Sequence, residues 1–191
     1  MNLFNKNELL LNKYNILRDI KKGSVFIYPT DTIYGIGCNA KLDDAVDKIR
    51  QLKKRPKQPF SIIAPSREWI VKNCETNLRA KKWINKLPGA YTLILKLKED
   101  SSVSKLVNPG INTVGVRIPD HWFTHVVKEA KTPIITTSVN RHGENYMTEL
   151  DDLDKDFKNN VDYIFFDGTI KGTPSTIVDL TKEKIEVKKR K

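Results

Sequence analysis

Five stretches of this chain share one pattern, a short apolar segment giving way to small, hydroxylated or basic residues. They are YPTDTIYGIG from Tyr28 to Gly37, LKKRPKQPF from Leu52 to Phe60, NTVGVRIPDH from Asn112 to His121, TTSVNRHGE from Thr136 to Glu144, and GTPSTIVDL from Gly172 to Leu180. A short continuous apolar run bounded by turn residues reads as a buried strand. In α/β sheets, ligands collect where polar residues sit at the ends of such strands.

The segments between them carry helical spacing. Asn5 and Glu8 form an N-x-x-E capping pattern, and Leu10, Tyr14 and Leu17 then follow, which predicts a helix over 6–22 ended by Gly23. Val25 to Tyr28 predicts a strand stopped by Pro29, with a polar loop after it. A second helix is expected over 43–53, with Ala45, Val46, Ile49 and Leu52 on one side. Ser61 to Ala64 predicts a strand, and 67–87 a helical stretch broken near Asn77. Tyr91 to Lys98 alternates as a strand, with Leu93, Leu95 and Leu97 on one face. Val114–Ile118 and Ile134–Thr137 are further strands around a helix from Trp122 to Ala130. Residues 149–158 read as helical or loop-like. Tyr163–Phe166, Thr176–Leu180 and Lys184–Lys188 close the series as short strands. Helices and strands alternate early and strands gather late, which predicts an α/β fold around a mixed sheet. No Pro/Gly/Ser-rich linker divides the chain, so residues 1–191 read as one domain.

Composition bounds the partners. The chain has 191 residues, with 34 Lys plus Arg against 23 Asp plus Glu, a formal net charge of +11. Such a balance favours anions, whether nucleotides, RNA or acidic lipid head groups, without choosing among them. Cys38 and Cys74 lack the spacing of a metal knuckle or redox pair, and two free thiols suit a reducing cytoplasm. Nothing in the sequence is apolar for long enough to span a membrane, and the first residues have no signal-peptide layout.

If the five strand ends converge, they bring together Thr30, Thr32, Lys53, Arg55, Thr113, Arg117, Ser138, Asn140 and Ser175. That set is rich in cations and hydroxyls and lacks a general-base histidine or a metal-ligand cluster. It suits phosphate and carboxylate groups, with Arg as a bidentate partner and Lys as a point charge. Each element also has an ordinary reading. Pro-Thr-Asp-Thr is a common strand-exit turn, Lys53-Lys54-Arg55 complements a helix dipole, Ser138-Val139-Asn140 resembles a capping turn, and Arg117 suits a structural ion pair. His121, His125 and His142 are scattered and read as structural or surface residues. The P-loop, dinucleotide and kinase signatures are all missing.

Taken in order, the segments resemble the YrdC/YciO family, and within it the threonylcarbamoyl-AMP synthases. The matching elements are Pro29 to Ile36, Lys53 to Pro56 (K-x-R-P), Pro88 to Thr92, Thr113 to Pro119 (T-V-G-V-R-x-P), Ser138 to Gly143 (S-x-N) and Ser175 to Asp179 (S-T-[IV]-V-D). The chain departs from the pattern at Ile62, Ile63 and Ala64, where members often carry a histidine. It also departs at His142-Gly143, where Ser-Gly is usual, near Tyr146 to Thr148, where S-P-T is usual, and at Pro88-Gly89-Ala90, where P-G-P is usual.

The resemblance implies a twisted, mixed parallel and antiparallel sheet with flanking helices and a basic concave face. It implies formation of threonylcarbamoyl-AMP and pyrophosphate from L-threonine, bicarbonate and ATP, with magnesium on the nucleotide and no metal site of the protein's own. A separate transferase complex would then modify an adenosine of tRNA, and direct tRNA contact is an open expectation. Carried over by position, Thr32, Arg117, Thr136 and Ser175 would meet threonine. Lys53, Arg55, Thr113, Ser138 and Asn140 would meet ATP, joined by Lys189 or Arg190. Lys53 and Arg55 would neutralise the leaving pyrophosphate, and Lys53 to Pro59 is a candidate lid. The chain would be a short form without the extra C-terminal domain of longer members. A non-catalytic double-stranded RNA or tRNA-binding module on the same fold, using the Lys-rich end from Lys188 to Lys191, is the alternative. A carbamoyl-transfer module within a larger hydrogenase-maturation protein is less well matched, because its neighbouring domains and zinc-finger cysteines are missing.

Overall fold

The computed structural model describes residues 2–141 and 144–190. His142 and Gly143, the last two residues of the S-x-N element, and the terminal Lys191 lie outside that range.

The N-terminal helix expected over 6–22 is two helices, α1 (Lys6–Leu11) and α2 (Lys13–Lys22). The Asn5–Glu8 capping box forms in full, Asn5 accepting from the Asn7 and Glu8 amides while Glu8 returns a bond to the Asn5 N–H. The break falls at Asn12, whose φ of −102° and ψ of 11° leave helical geometry. Gly23 ends α2 in the left-handed region, at φ +100°.

Strands β1 (Asn2–Phe4), β2 (Phe26–Tyr28), β3 (Gly35–Gly37), β4 (Ser61–Ile63), β5 (Tyr91–Lys96), β6 (Thr113–Arg117), β7 (Ile134–Ser138), β8 (Tyr163–Phe165), β9 (Thr176–Asp179) and β10 (Glu186–Lys188) form one hydrogen-bonded order, β1-β8-β2-β3-β7-β4-β6-β5-β9-β10. The pairs β1/β8, β2/β8, β4/β6 and β5/β9 are parallel and the rest antiparallel, so the sheet is mixed as expected. β1 and β3 are strands where none was expected. Gly-Ile-Gly has weak strand propensity, yet a Cβ on Gly37 would stand 2.2 Å from the Ile135 carbonyl, so the close pairing of β3 with β7 admits only glycine there.

Helices cover both faces of the sheet unequally. α3 (Asp43–Lys53), α4 (Arg67–Asn73) and α5 (Leu78–Ile84) pack on one face, against Ile27, Ile36, Ile62, Leu93, Val114, Val116 and Ile135. α1, α2 and α6 (Phe123–Ala130) pack on the other, against Phe26, Tyr28, Ile63, Ile134 and Phe165. Tyr28 and Phe123 stack there with ring centroids 4.7 Å apart. α7 (Lys155–Asn159) follows a short 3-10 turn at Leu150–Asp152, and another such turn lies at Lys105–Val107. Alternation along the strands decides what remains. Ser61, Thr92, Gly115, Arg117, Thr136 and Ser138 share the parity of the second face, where α2 and α6 do not reach. That face is therefore polar in the middle of the sheet, and the site lies on it.

Candidate functional site

A pocket with a cavity volume of about 180 Å³ opens on this polar sheet face. Its floor is Ser61, Thr92, Thr136, Thr137 and Ser138 from the central strands. Its cations are Arg55, Arg117 and Arg190, and Thr30, Tyr34, Phe60, Tyr146 and Ser175 complete the wall. Among the described residues the lining holds three guanidinium groups and no carboxylate.

Arg117 ends β6 almost fully buried. Its Nη2 donates to Asp31 Oδ1 at 2.6 Å and to Thr32 Oγ1 at 3.1 Å. Asp31 in turn accepts from the Asp120 amide at 3.0 Å, and Thr32 meets Thr30 hydroxyl to hydroxyl at 2.9 Å. Burial pulls the Arg117 pKa down, while Asp31 pulls it up. Ser175 is 2.7 Å from Thr92 Oγ1 and takes a two-point bond from Arg190, Nη2 to Oγ at 2.8 Å and Nε to the carbonyl at 2.9 Å. Of Lys189 and Arg190, it is Arg190 whose side chain lines the pocket. Burial, and then the neighbouring charge of Arg117, lower its pKa.

Arg55 follows the left-handed cap of α3 at Lys54, φ 51°. It donates to Thr137 Oγ1 and to the Pro59 carbonyl, both at 3.3 Å, and lies 5.3 Å from the centre of the Phe60 ring. Burial lowers its pKa. Two buried polar atoms in the described residues have no partner, Nε of Arg55 and Nε of Arg117. An unpaired buried N–H is costly, and both belong to residues whose side chains line the pocket. Such donors match carboxylate and phosphate oxygens.

Of the expected site residues, Arg55, Arg117, Thr136, Ser138, Ser175 and Arg190 line this pocket, and Thr32 stands behind it on Arg117. Lys53, Thr113 and Asn140 do not line it. Thr113 sits at the far end of β6, paired with Lys96, its carbonyl bonded by Asn108. Lys53 is 1% exposed, tucked beneath the Ser138–Asn140 turn, with Nζ on the Ser138 carbonyl at 2.6 Å and the Asn140 carbonyl at 2.7 Å. Leu52 is only half-buried, and the buried stripe of α3 is Ala45, Val46, Ile49, Arg50 and Lys53. The candidate lid is fastened, since Arg50 bonds the carbonyls of Arg55 and Gln58.

A family model described as "Telomere recombination", that of Sua5/YciO/YrdC, matches residues 18–190. The chain belongs to the Sua5/YciO/YrdC family. Within it, the chain is 36% identical over 178 residues to the putative threonylcarbamoyl-AMP synthase of Methanocaldococcus jannaschii, covering 88% of this chain and 80% of that protein. It is 32% identical over 185 residues to the threonylcarbamoyl-AMP synthase of Bacillus subtilis, covering 87% of this chain and 53% of that one. Among solved structures, Pyrococcus abyssi Sua5 complexed with L-threonine superposes with a TM-score of 0.86 at 27% identity, covering 97% of this chain and 56% of that one. The chain thus spans about half the length of the Bacillus and Pyrococcus relatives.

Three residues in or beside this pocket were not singled out from the sequence. Arg50 carried a signal, because Val46, Ile49, Arg50 and Lys53 form an i, i+3, i+4, i+7 stripe in which two cations occupy apolar positions. Asp31 stood inside the first motif but was not singled out. Tyr34, whose hydroxyl donates to the Gly168 carbonyl at 2.7 Å and accepts from the Asp167 amide at 3.0 Å, gave no signal beyond its place in that motif.

Proposed function

We propose that this chain is an L-threonylcarbamoyladenylate synthase, joining L-threonine, bicarbonate and ATP into threonylcarbamoyl-AMP and pyrophosphate for the threonylcarbamoyl modification of tRNA. The supporting observation is the set of three guanidinium side chains, Arg55, Arg117 and Arg190, on one pocket among hydroxyls. Such a lining suits phosphate and carboxylate groups. Family membership and the synthase names of the relatives support the same reading.

In this reading the amino acid sits on Arg117, with Thr32, Thr136 and Ser175 around it, and the nucleotide lies toward Arg55 and Ser138, with Arg190 at the rim. The threonine nitrogen and bicarbonate first join as the carbamate with loss of water, and an oxygen of that carbamate then forms a bond to the α-phosphorus as the bond to the pyrophosphate oxygen breaks. Both reactants are anions, so the work is positioning and neutralisation rather than nucleophilic side-chain chemistry. Arg55 supplies neutralisation on the phosphate side. A guanidinium stays protonated throughout and serves as an electrostatic clamp, not a proton donor.

Among the described residues no group of three His, Cys, Asp or Glu side chains is placed to hold a metal. A carboxylate-free lining fits magnesium that arrives on the phosphates, where it would neutralise charge. Asn140 and Thr113 belong to the nucleotide side only at second hand, through the turn under Ser138 and the end of β6. The chain is read as one domain, with the tRNA and the transferase complex as later partners. No helix among the described residues is long and apolar enough to cross a membrane, and both thiols are buried and unpaired. A reducing cytoplasm is the compartment this suits.

Pyrophosphate release from the purified protein with ATP, magnesium and bicarbonate, with and without L-threonine and with L-serine as control, tests the proposal. Threonine-dependent release is expected. No release from folded protein would move the reading to the RNA-binding module.

A further inference from the structure

α3 carries two buried cations one turn apart, Arg50 and Lys53, and both are spent on the protein itself. Arg50 donates from Nε to the Leu106 carbonyl at 2.6 Å, from Nη1 to the carbonyls of Arg55 and Gln58 at 2.7 and 3.1 Å, and from Nη2 to the Val107 carbonyl at 2.9 Å. It stacks on Phe60 at 4.6 Å, the ring that Arg55 also faces. Lys53 donates to the Ser138 carbonyl, the Asn140 carbonyl and Asn140 Oδ1, the last at 3.3 Å. An ammonium has three donors, and those three acceptors use them all. Asn140 Oδ1 also takes the Ser138 hydroxyl, and Asn140 Nδ2 donates to the Glu144 carbonyl at 2.7 Å. The turn that presents Ser138 is therefore anchored through Lys53, and the loop that presents Arg55 is anchored through Arg50.

We infer that Arg50 and Lys53 are positioning residues that fix the two walls of the nucleotide site, Arg50 the Arg55–Gln58 loop and Lys53 the Ser138–Asn140 turn, without either touching substrate. The inference rests on the proposed function only in taking the pocket's phosphate-bearing guest to be ATP. Both side chains leave the same short stretch of helix, so the distance between the walls is set by rigid structure and not by flexible loops. A phosphate reaching Lys53 would have to displace two backbone carbonyls from a side chain that is 1% exposed. A point charge meant for phosphate is ordinarily left with free donors.

The test reads backbone hydrogen exchange without nucleotide, then binding. In Lys53→Met, amides of 136–141 should exchange at least ~10-fold faster than in the wild type while 55–60 stay unchanged. In Arg50→Met the pattern should reverse. Arg50→Lys, one point charge in place of a fork, should give a partial effect at 55–60. By calorimetry with ATP and magnesium, Lys53→Met should weaken ATP by ~10-fold or more while L-threonine stays within about three-fold, a split that general destabilisation does not produce. The double variant Lys53→Met/Asn140→Ala should be no weaker for ATP than Lys53→Met alone, because the two act through one turn.

Unchanged exchange at 136–141, or fully additive losses in the double variant, would overturn the inference and return Lys53 to direct phosphate contact. If the wild type binds no ATP, the proposed function fails, and the exchange pattern alone decides the positioning roles. Should Lys53→Met not fold, nitrogen-15 lysine spectra of the wild type serve instead. A slowly exchanging Lys53 ammonium before ATP is added supports the inference. One that becomes protected only on adding ATP overturns it.

Discussion

Arg117 and Asp31 form a nearly buried ion pair, Nη2 to Oδ1 at 2.6 Å, with side-chain exposures of 7% and 11%. Asp31 also accepts from the Asp120 amide, so it ties the loop after β2 to the loop after β6 and fixes the guanidinium between them. Breaking such a pair leaves a buried charge uncompensated, at a cost of ~3–5 kcal/mol. Asp31→Ala is therefore expected to lower unfolding stability in urea by an amount of that order. In the folded fraction, the KM for L-threonine should rise far more than that for ATP. Asp31→Asn keeps the shape and one acceptor and should lose less. Equal KM changes for both substrates would separate Arg117 from the threonine subsite.

Ser138 stands on the nucleotide side of the pocket, with its hydroxyl on Asn140 and its carbonyl on Lys53. Ser138→Ala removes one hydroxyl and leaves the carbonyl anchor in place. The expected loss for ATP is about 1 kcal/mol, roughly five-fold in affinity, with threonine affinity unchanged. Titration of each ligand alone checks this, and equal weakening of both would count against the assignment of Ser138 to the nucleotide.

Much of the fold was legible because periodicity and punctuation agree. The Asn5 cap, the Gly23 stop and the break near Asn77 each appear where spacing put them, and the strand expected over Tyr91–Lys98 forms as far as Lys96. β3 was hidden because its defining feature is a close approach to the Ile135 carbonyl, a tertiary contact that local propensity does not record. β1 is three residues long and exists only by pairing with β8, far along the chain. In the site, residue types were legible and their division of labour was not. Lys53 and Arg55 are two residues apart and chemically alike in sequence. The left-handed turn at Lys54 sends Arg55 to the pocket and leaves Lys53 beneath a turn from β7. The helical stripe places Arg50 on the buried face, but its four backbone carbonyl partners come from the loop after α3 and from the Lys105–Val107 turn, which spacing does not record.

Gly172 lies against Thr32 so closely that a Cβ there would stand 1.8 Å from the Thr32 carbonyl. Its own carbonyl accepts from the Tyr146 hydroxyl at 3.1 Å, so the segment before Ser175 is strapped over the Thr32 loop. The neighbouring atoms are backbone and cannot turn aside. Gly172→Ala is expected to push Thr32 or Ser175 off position and to cut threonine-dependent pyrophosphate release by ~10-fold or more, in line with the sensitivity of positioned reactants to small displacements. Thermal unfolding should change little, because the segment is a partly exposed loop. Wild-type release rates from the alanine variant would mean the strap does not set the threonine subsite.

Burial, and after it the charge of Arg55, push the Lys53 pKa down from 10.5 to about 7, while the three carbonyl acceptors around Nζ favour the charged form. The sign of the stability effect follows from proton counting. Below about pH 7 the folded chain keeps the Lys53 ammonium with its three donors on the turn, and from there to about pH 10.5 the folded chain releases that proton while the unfolded chain still holds it. Folding then expels a proton, so stability attributable to this residue rises with pH across that window. Below it both states are protonated and the contribution is flat. Comparison with Lys53→Met isolates the effect from the other titrating groups. The difference in unfolding free energy, wild type minus variant, should grow between pH 7 and 9 by up to ~1.4 kcal/mol per pH unit. Urea unfolding at half-unit steps of pH measures it. A difference that stays level from pH 6 to 9 would mean that the carbonyl cage, rather than burial, sets the Lys53 proton, and that the ammonium stays charged throughout the working range.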